Sequence, residues 1–155
     1  MGKSVKLVRL EHTYCLSAHM TYQKGWRTVY SLSAHVVLVT KYRRNVINNE
    51  ILSRWKDIFA DTLKKWDAEL VEFNGGYVHL LINYPPHIQL SKLIANLKTV
   101  SSRLIRKEFR SEVNRYYRKS VFWTGAYFVA SCGGVTVEEL KRYVDNQRKI
   151  NGDFD

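Results

Sequence analysis

Apolar and polar positions along this chain change period several times, and each change marks an element. From Thr28 to Thr40 the residues are rich in Val, Tyr, Leu and Thr, alternating at first and then continuously apolar. That pattern predicts a long central strand. Asn48 or Asn49 can cap a helix from Glu50 to about Asp67, because Ile51, Leu52, Trp55, Ile58, Phe59, Leu63 and Trp66 fall on one broad face. Ala68 to Phe73 predicts a short strand, and Asn74-Gly75-Gly76 a tight turn of residues that tolerate positive φ. Tyr77 to Tyr84 is the returning strand, ended by Pro85-Pro86. A second long helix is expected over residues 88–109, with Leu90, Leu93, Ile94, Leu97, Val100, Leu104 and Ile105 as its buried stripe. Arg110 to Ser120 reads as a basic loop and Ala126 to Ser131 as a final strand. Gly133-Gly134 then turns into a last helix, Val135 to Ile150, with Thr136 and Glu139 at capping-box spacing.

The order is strand, helix, two-stranded hairpin, helix, strand, helix. It predicts an α+β fold: a ferredoxin-like antiparallel sheet with helices mainly on one face, plus a C-terminal helix. A length of 155 residues fits one domain spanning 1–155, with residues 1–25 as a loose, polar N-terminal arm.

Charge narrows the partner. The formal net charge is +11 and the isoelectric point about 9.7, which favours a polyanion, most commonly nucleic acid. A membrane surface is the rival, but no segment reaches the roughly 18 consecutive apolar residues of a spanning helix, and no membrane partner is expected. The N-terminus lacks a long apolar core of the secretory type, and Cys15 and Cys132 form no CxxC pair, so a cytoplasmic protein with reduced thiols is expected. Ten Tyr and four Trp interleaved with basic residues suit unpaired nucleic acid, where cations follow phosphates and rings stack on bases. Lys41, Arg43 and Arg44 follow the first strand, and Lys98, Arg103 and Arg106 lie off the buried stripe of the second helix. Ser101 and Ser102 there allow close approach to a backbone. A nucleic-acid face is the functional reading of this set; a solvated charged face is the plain one.

Two places carry candidate chemistry. Tyr143 and Gln147 are four apart, so a phenol and a carboxamide project from one face of the last helix. Such a pair suits a nucleophile and a hard-metal ligand; a half-buried Tyr beside a solvated Gln is the alternative. In the returning strand Tyr77, His79, Leu81 and Asn83 share one face, and Val78, Leu80, Ile82 and Tyr84 the other. His79 alone reads as a hydrogen-bonded sheet histidine. His35, in the first strand, reads the same way, with a place beside an active site as its alternative.

The stretches HVVLVTKYRR, VHLLI followed by Pro-Pro, LKTVSSRLIRKEF, AYFVASCGGV and KRYVDNQ together resemble the single-tyrosine HUH transposases of the 200/605 group of bacterial insertion sequences. The resemblance covers nearly the whole chain from about Tyr30. It implies a homodimeric enzyme acting on single-stranded DNA with hairpin ends, with Tyr143 as nucleophile. It further implies a divalent ion, Mg²⁺ or Mn²⁺, held by Gln147 and His79, and a tyrosine helix able to serve the partner subunit's histidine motif. The family motif is His-hydrophobic-His, whereas this chain has Tyr77-Val78-His79. A neutral phenol is a poor ligand beside imidazole. Asn74, Glu72, water or a deprotonated Tyr77 would have to complete the metal shell; otherwise the chain is a catalytically impaired relative that binds hairpin DNA. A third reading is an RNA-binding domain, marked only by Tyr30 and Tyr77 on neighbouring strands.

Overall fold

The computed structural model describes residues 23–41, 48–75, 78–117, 119 and 122–131. Six strands and three helices lie within them: β1 (Gln23–Gly25), β2 (Thr28–Tyr30), β3 (Ser33–Thr40), α1 (Asn49–Lys64), β4 (Glu69–Asn74), β5 (Val78–Asn83), α2 (Leu90–Glu108), α3 (Arg110–Tyr116) and β6 (Trp123–Ser131). The main sheet has the order β4-β5-β3-β6, antiparallel at every pairing. Taking its strands in chain order, this is the 4-1-3-2 arrangement of a ferredoxin-like fold read from the β6 edge.

Side-chain alternation decides what each face of the sheet does. Ala34, Val36 and Leu38 of β3 and Val78, Leu80 and Ile82 of β5 join one buried cluster with Ile51, Trp55, Ile58, Phe59 and Leu63 of α1 and Leu93, Ile94, Leu97 and Ile105 of α2. Both long helices therefore cover a single face. Trp55 anchors the cluster, with ring centroids 5.4 Å from Phe122 and 5.0 Å from Trp123. Each of these side chains contributes about 1.5–3 kcal/mol through the apolar area it removes from water.

The helix ends follow local chemistry. Asn48 caps α1, its Oδ1 accepting from the Ile51 N–H at 2.8 Å. The helix stops at Lys64, short of the expected Asp67. Asp67 takes φ 55, and its N–H and that of Ala68 return to the carbonyls of Lys64 and Leu63. A short polar side chain tolerates that left-handed turn better than most. At Gly75 a Cβ would come within 2.8 Å of Leu52 Cδ2, so the hairpin turn lies close against α1.

Three expected elements differ. The single strand over Thr28–Thr40 is two strands with different partners: β2 pairs with β1, whereas β3 pairs with β5 and β6. Residues 23–25, expected in the loose arm, are β1 of that hairpin. The basic loop over Arg110–Ser120 begins as a helix, because Phe109, Val113 and Tyr117 repeat every four residues and turn inward, with Val113 and Tyr117 buried. The last strand begins at Trp123 rather than Ala126. Its pairing with β3 slips there, since Leu38 faces Tyr127 and Thr40 faces Trp123. Two steps on β3 thus span four on β6, a bulge. The Lys98 ammonium fastens it, donating to the carbonyls of Thr124 (3.0 Å), Gly125 (3.2 Å) and Ala126 (2.9 Å). The expected C-terminal helix, Val135 to Ile150, lies outside the described residues.

Candidate active site

The face of the main sheet turned away from α1 and α2 carries Ser33, His35 and Val37 from β3 and His79, Leu81 and Asn83 from β5. Ser33 and Asn83 are direct cross-strand partners, and the Ser33 hydroxyl donates to Asn83 Oδ1 at 2.6 Å. His35 faces Leu81 and His79 faces Val37, so the two histidines are diagonal neighbours. Aromatic side chains span such a diagonal. Their rings stack, with centroids 5.1 Å apart and planes 18° apart, and His35 Nδ1 lies 2.9 Å from His79 Nε2. One of these nitrogens carries the shared proton and the other accepts it.

Both imidazoles are held neutral. His35 is 8 % exposed, and burial lowers its pKa from the ordinary value. Burial, and then the unfavourable charge of His35, lower that of His79 to about 4. Neutral imidazole is the form that binds a metal ion. Residues of β4 share this face: Glu72 faces Leu81 and Asn74 faces His79. The Asn74 amide donates to Glu72 Oε1 at 3.1 Å, and burial raises the Glu72 pKa. Among the described residues no three His, Cys, Asp or Glu side chains gather as a metal site. Tyr77, Tyr143 and Gln147 lie outside the described residues, as do Arg43 and Arg44.

The basic set expected to meet nucleic acid divides. Ser101 is a correction: it is 0 % exposed, and its Oγ accepts from Trp123 Nε1 at 3.0 Å, so it belongs to the core. Lys98 spends its three donors on the β6 bulge and sits 5.1 Å over the Tyr127 ring; burial lowers its pKa. It therefore fixes the shape of this surface and has little left for a phosphate. Ser102 is half-buried and lines an open groove of about 440 Å³ between α2 and β6, with Thr99 and Tyr127. Arg103 is exposed on α2, and Arg106 donates to the Lys119 carbonyl. The Lys41 backbone is tied on both sides, its N–H to the Phe122 carbonyl and its carbonyl to the Tyr117 hydroxyl.

Two groups were under-read in the sequence. His35 has no sequence neighbour that announces His79; only the β3–β5 register joins them. Trp26, at the tip of the β1–β2 hairpin, is 88 % exposed, and the Arg27 guanidinium lies 5.7 Å over its ring. Its available signal was an aromatic set between Lys24 and Arg27 next to Gly25.

A basic α+β chain with this strand order and a paired-histidine face falls in a recognisable class. The family described as "Transposase IS200 like" matches residues 28–147, and the chain belongs to it. It is 24% identical over 127 residues to the ISDra2 transposase TnpA of Deinococcus radiodurans, which covers 81% of this chain and 90% of that one. It is 25% identical over 122 residues to the transposase for insertion sequence element IS200 of Salmonella typhimurium, covering 77% of this chain and 79% of that one. A crystal structure of a protein from Deinococcus radiodurans R1, titled as a transposase, superposes with a TM-score of 0.73 at 29% identity, over 81% of this chain and 97% of that one. Among the described residues no helix is long and apolar enough to cross a membrane.

Proposed function

We propose that this IS200-type transposase cleaves and rejoins single-stranded DNA at hairpin ends through a covalent phosphotyrosine. The observation that carries the reading is His79, held neutral on the polar face of the sheet in a chain whose family match runs through Tyr143 and Gln147. The Tyr143 oxygen attacks the scissile phosphorus, a P–O bond forms, and the P–O3′ bond breaks. The products are a 5′-phosphotyrosine and a free 3′-hydroxyl. The phosphodiester energy is kept in the tyrosyl ester, so a 3′-hydroxyl can reverse the step without ATP. His79 and Gln147 would hold Mg²⁺ or Mn²⁺, which supplies charge stabilisation at the phosphate.

Arg103 and the groove beside Ser102 would follow the DNA backbone, and Trp26 would stack on an unpaired base. A homodimer is supported by β6, which pairs only with β3 among the described residues and exposes Tyr127 and Val129. A cytoplasmic site of action goes with this reading.

The test is a single-stranded oligonucleotide with a subterminal hairpin, incubated with the protein and Mg²⁺ or Mn²⁺. A denaturing gel should show a covalent protein–DNA adduct that Tyr143→Phe abolishes; an adduct that survives this change overturns the assignment. Tyr77, standing where the family motif has histidine, favours one second reading: a relative that binds hairpin DNA without cutting it. It expects salt-dependent binding and no adduct with any metal.

A further inference from the structure

The β1–β2 ribbon is built unlike the rest of the molecule. Its two strands form a sheet of their own, and every residue from Gln23 to Tyr30 is half-buried or exposed. It adds nothing to the core, yet it carries Trp26 at 88 % exposure and Val29 at 64 %. Gly25 pairs with Thr28, so Trp26 and Arg27 are the whole connection. The tip is held in one shape. The Thr28 hydroxyl donates to the Trp26 carbonyl at 3.1 Å, and a Cβ at Gly25 would stand 3.3 Å from Thr28 Oγ1. Arg27 takes φ 59, a left-handed conformation that is costly for an arginine and nearly free for a glycine. What the arginine supplies there is its guanidinium, 5.7 Å over the indole. Strain kept at an exposed tip points to function rather than to folding.

Charge and position name the occupant. No Asp or Glu falls between Glu11 and Glu50, whereas Lys24, Arg27, Lys41, Arg43 and Arg44 do. Positive charge with no acid to offset it locally is complementary to a polyanion. Only Ser31 and Leu32 separate the ribbon from β3, whose Ser33 and His35 lie on the candidate active-site face. Five residue steps bring the tip within about 18 Å of Ser33. The family match begins at Thr28, so β1 and the Trp26-Arg27 tip precede it.

We infer that the ribbon is a strand-holding finger: Trp26 stacks on one unpaired base of the single strand flanking the DNA hairpin, and Arg27 braces the indole from its other face and meets the adjoining phosphate. The inference rests on the DNA reading above and deepens it, by naming which part of the substrate this surface takes. The bases of a hairpin stem are already stacked on one another, whereas a free strand offers an open ring face at every base. An anionic lipid surface is the competing occupant of a basic, indole-tipped ribbon, and the experiment separates the two.

The full chain is titrated in EDTA, so that no metal-dependent cleavage intrudes, with three fluorescent DNAs: a hairpin with an unpaired flank, the same hairpin trimmed to its stem, and a duplex of equal length. Anisotropy should show the flanked hairpin bound at least about tenfold more tightly than the trimmed one. Trp26→Ala should remove that difference and leave trimmed-stem affinity unchanged, and Trp26→Phe should retain part of it. Arg27→Gly relieves the backbone, so it should keep the ribbon folded while lowering flank affinity and reducing the salt slope by about 0.7. An undiminished flank preference in Trp26→Ala overturns the inference, as does an equal loss on the trimmed stem. Trp26-dependent binding to phosphatidylserine-containing vesicles, with the DNA preference intact, overturns it in favour of lipid. A wild type that forms the phosphotyrosine adduct but shows no flank preference loses the finger and keeps the wider reading. A wild type with the flank preference and no adduct keeps the finger and loses strand cleavage.

Discussion

Val36 and Leu80 face each other across β3 and β5 on the side packed by α1 and α2, whereas one residue away along the same strands His35 and His79 meet on the opposite side. The first surface is apolar, continuous and covered by two long helices. The second sets polar atoms among apolar neighbours, and each described polar group there pairs with another: Ser33 with Asn83, His35 with His79, Asn74 with Glu72. A sheet can thus place its stability on one side and its reactive groups on the other without separating them in sequence. The cost is register: a slip of one residue would exchange the two faces. The bulge at β6, pinned by Lys98, sits at the end of the same β3 strand and fixes where that pairing stops.

The contrast is sharpest under mutation. Leu80→Ala should lower the unfolding free energy by about 2–5 kcal/mol, because it opens a cavity in the helical core. Urea unfolding checks this; a loss below about 1 kcal/mol would mean that the core is far looser than its burial implies. Acid should act through the other face. The folded protein holds His79 near 4, well below the unfolded value of 6.5, so the unfolded chain binds that proton more readily. Stability is therefore complete above about pH 6.5 and falls as pH drops toward 4. The loss should be on the order of 2 kcal/mol once partial solvent access is allowed for. His79→Gln should flatten this window when unfolding is followed with EDTA present.

Smaller effects separate core from surface within α2. Ser101→Ala should cost about 1–2 kcal/mol, since it leaves the buried Trp123 N–H without its acceptor. Hairpin-DNA affinity should stay within twofold at matched folded fraction; a selective loss of affinity would return Ser101 to the nucleic-acid face. Trp26→Ala should leave stability within about 0.5 kcal/mol, as an exposed tip residue does. It should weaken single-stranded DNA by about 1–3 kcal/mol if a base stacks there. Fluorescence quenching on adding the oligonucleotide, lost in this variant, gives the direct readout.

Much of this was legible in the residues. The apolar stripes of α1 and α2 announce their helices, and Asn74-Gly75-Gly76 announces the hairpin that brings β5 back beside β4. The strand order followed from the element order. The split at Ser31-Leu32 was hidden, because β2 and β3 share a composition and differ only in partner. The helix Arg110–Tyr116 was masked by its charges, which outnumber Val113, the one buried residue inside it. Ser101 was misplaced because a small hydroxyl looks the same in sequence whether it meets a phosphate or a buried indole. The histidine pair needed the β3–β5 register, which no local spacing encodes.

The division between faces has one direct measurement: the thermal midpoint with and without saturating Mn²⁺, compared across wild type, Leu80→Ala and His79→Ala. An ion at about 100 times its dissociation constant adds about 2.7 kcal/mol to the folded state, worth roughly 5–10 °C here. The wild type and Leu80→Ala should rise by the same amount from different starting points, and His79→Ala, which loses the hydrogen bond to His35, should start below the wild type and not rise. An Mn²⁺ shift that persists in His79→Ala, or that vanishes in Leu80→Ala while the protein is still folded, would contradict the assignment of chemistry to the histidine face.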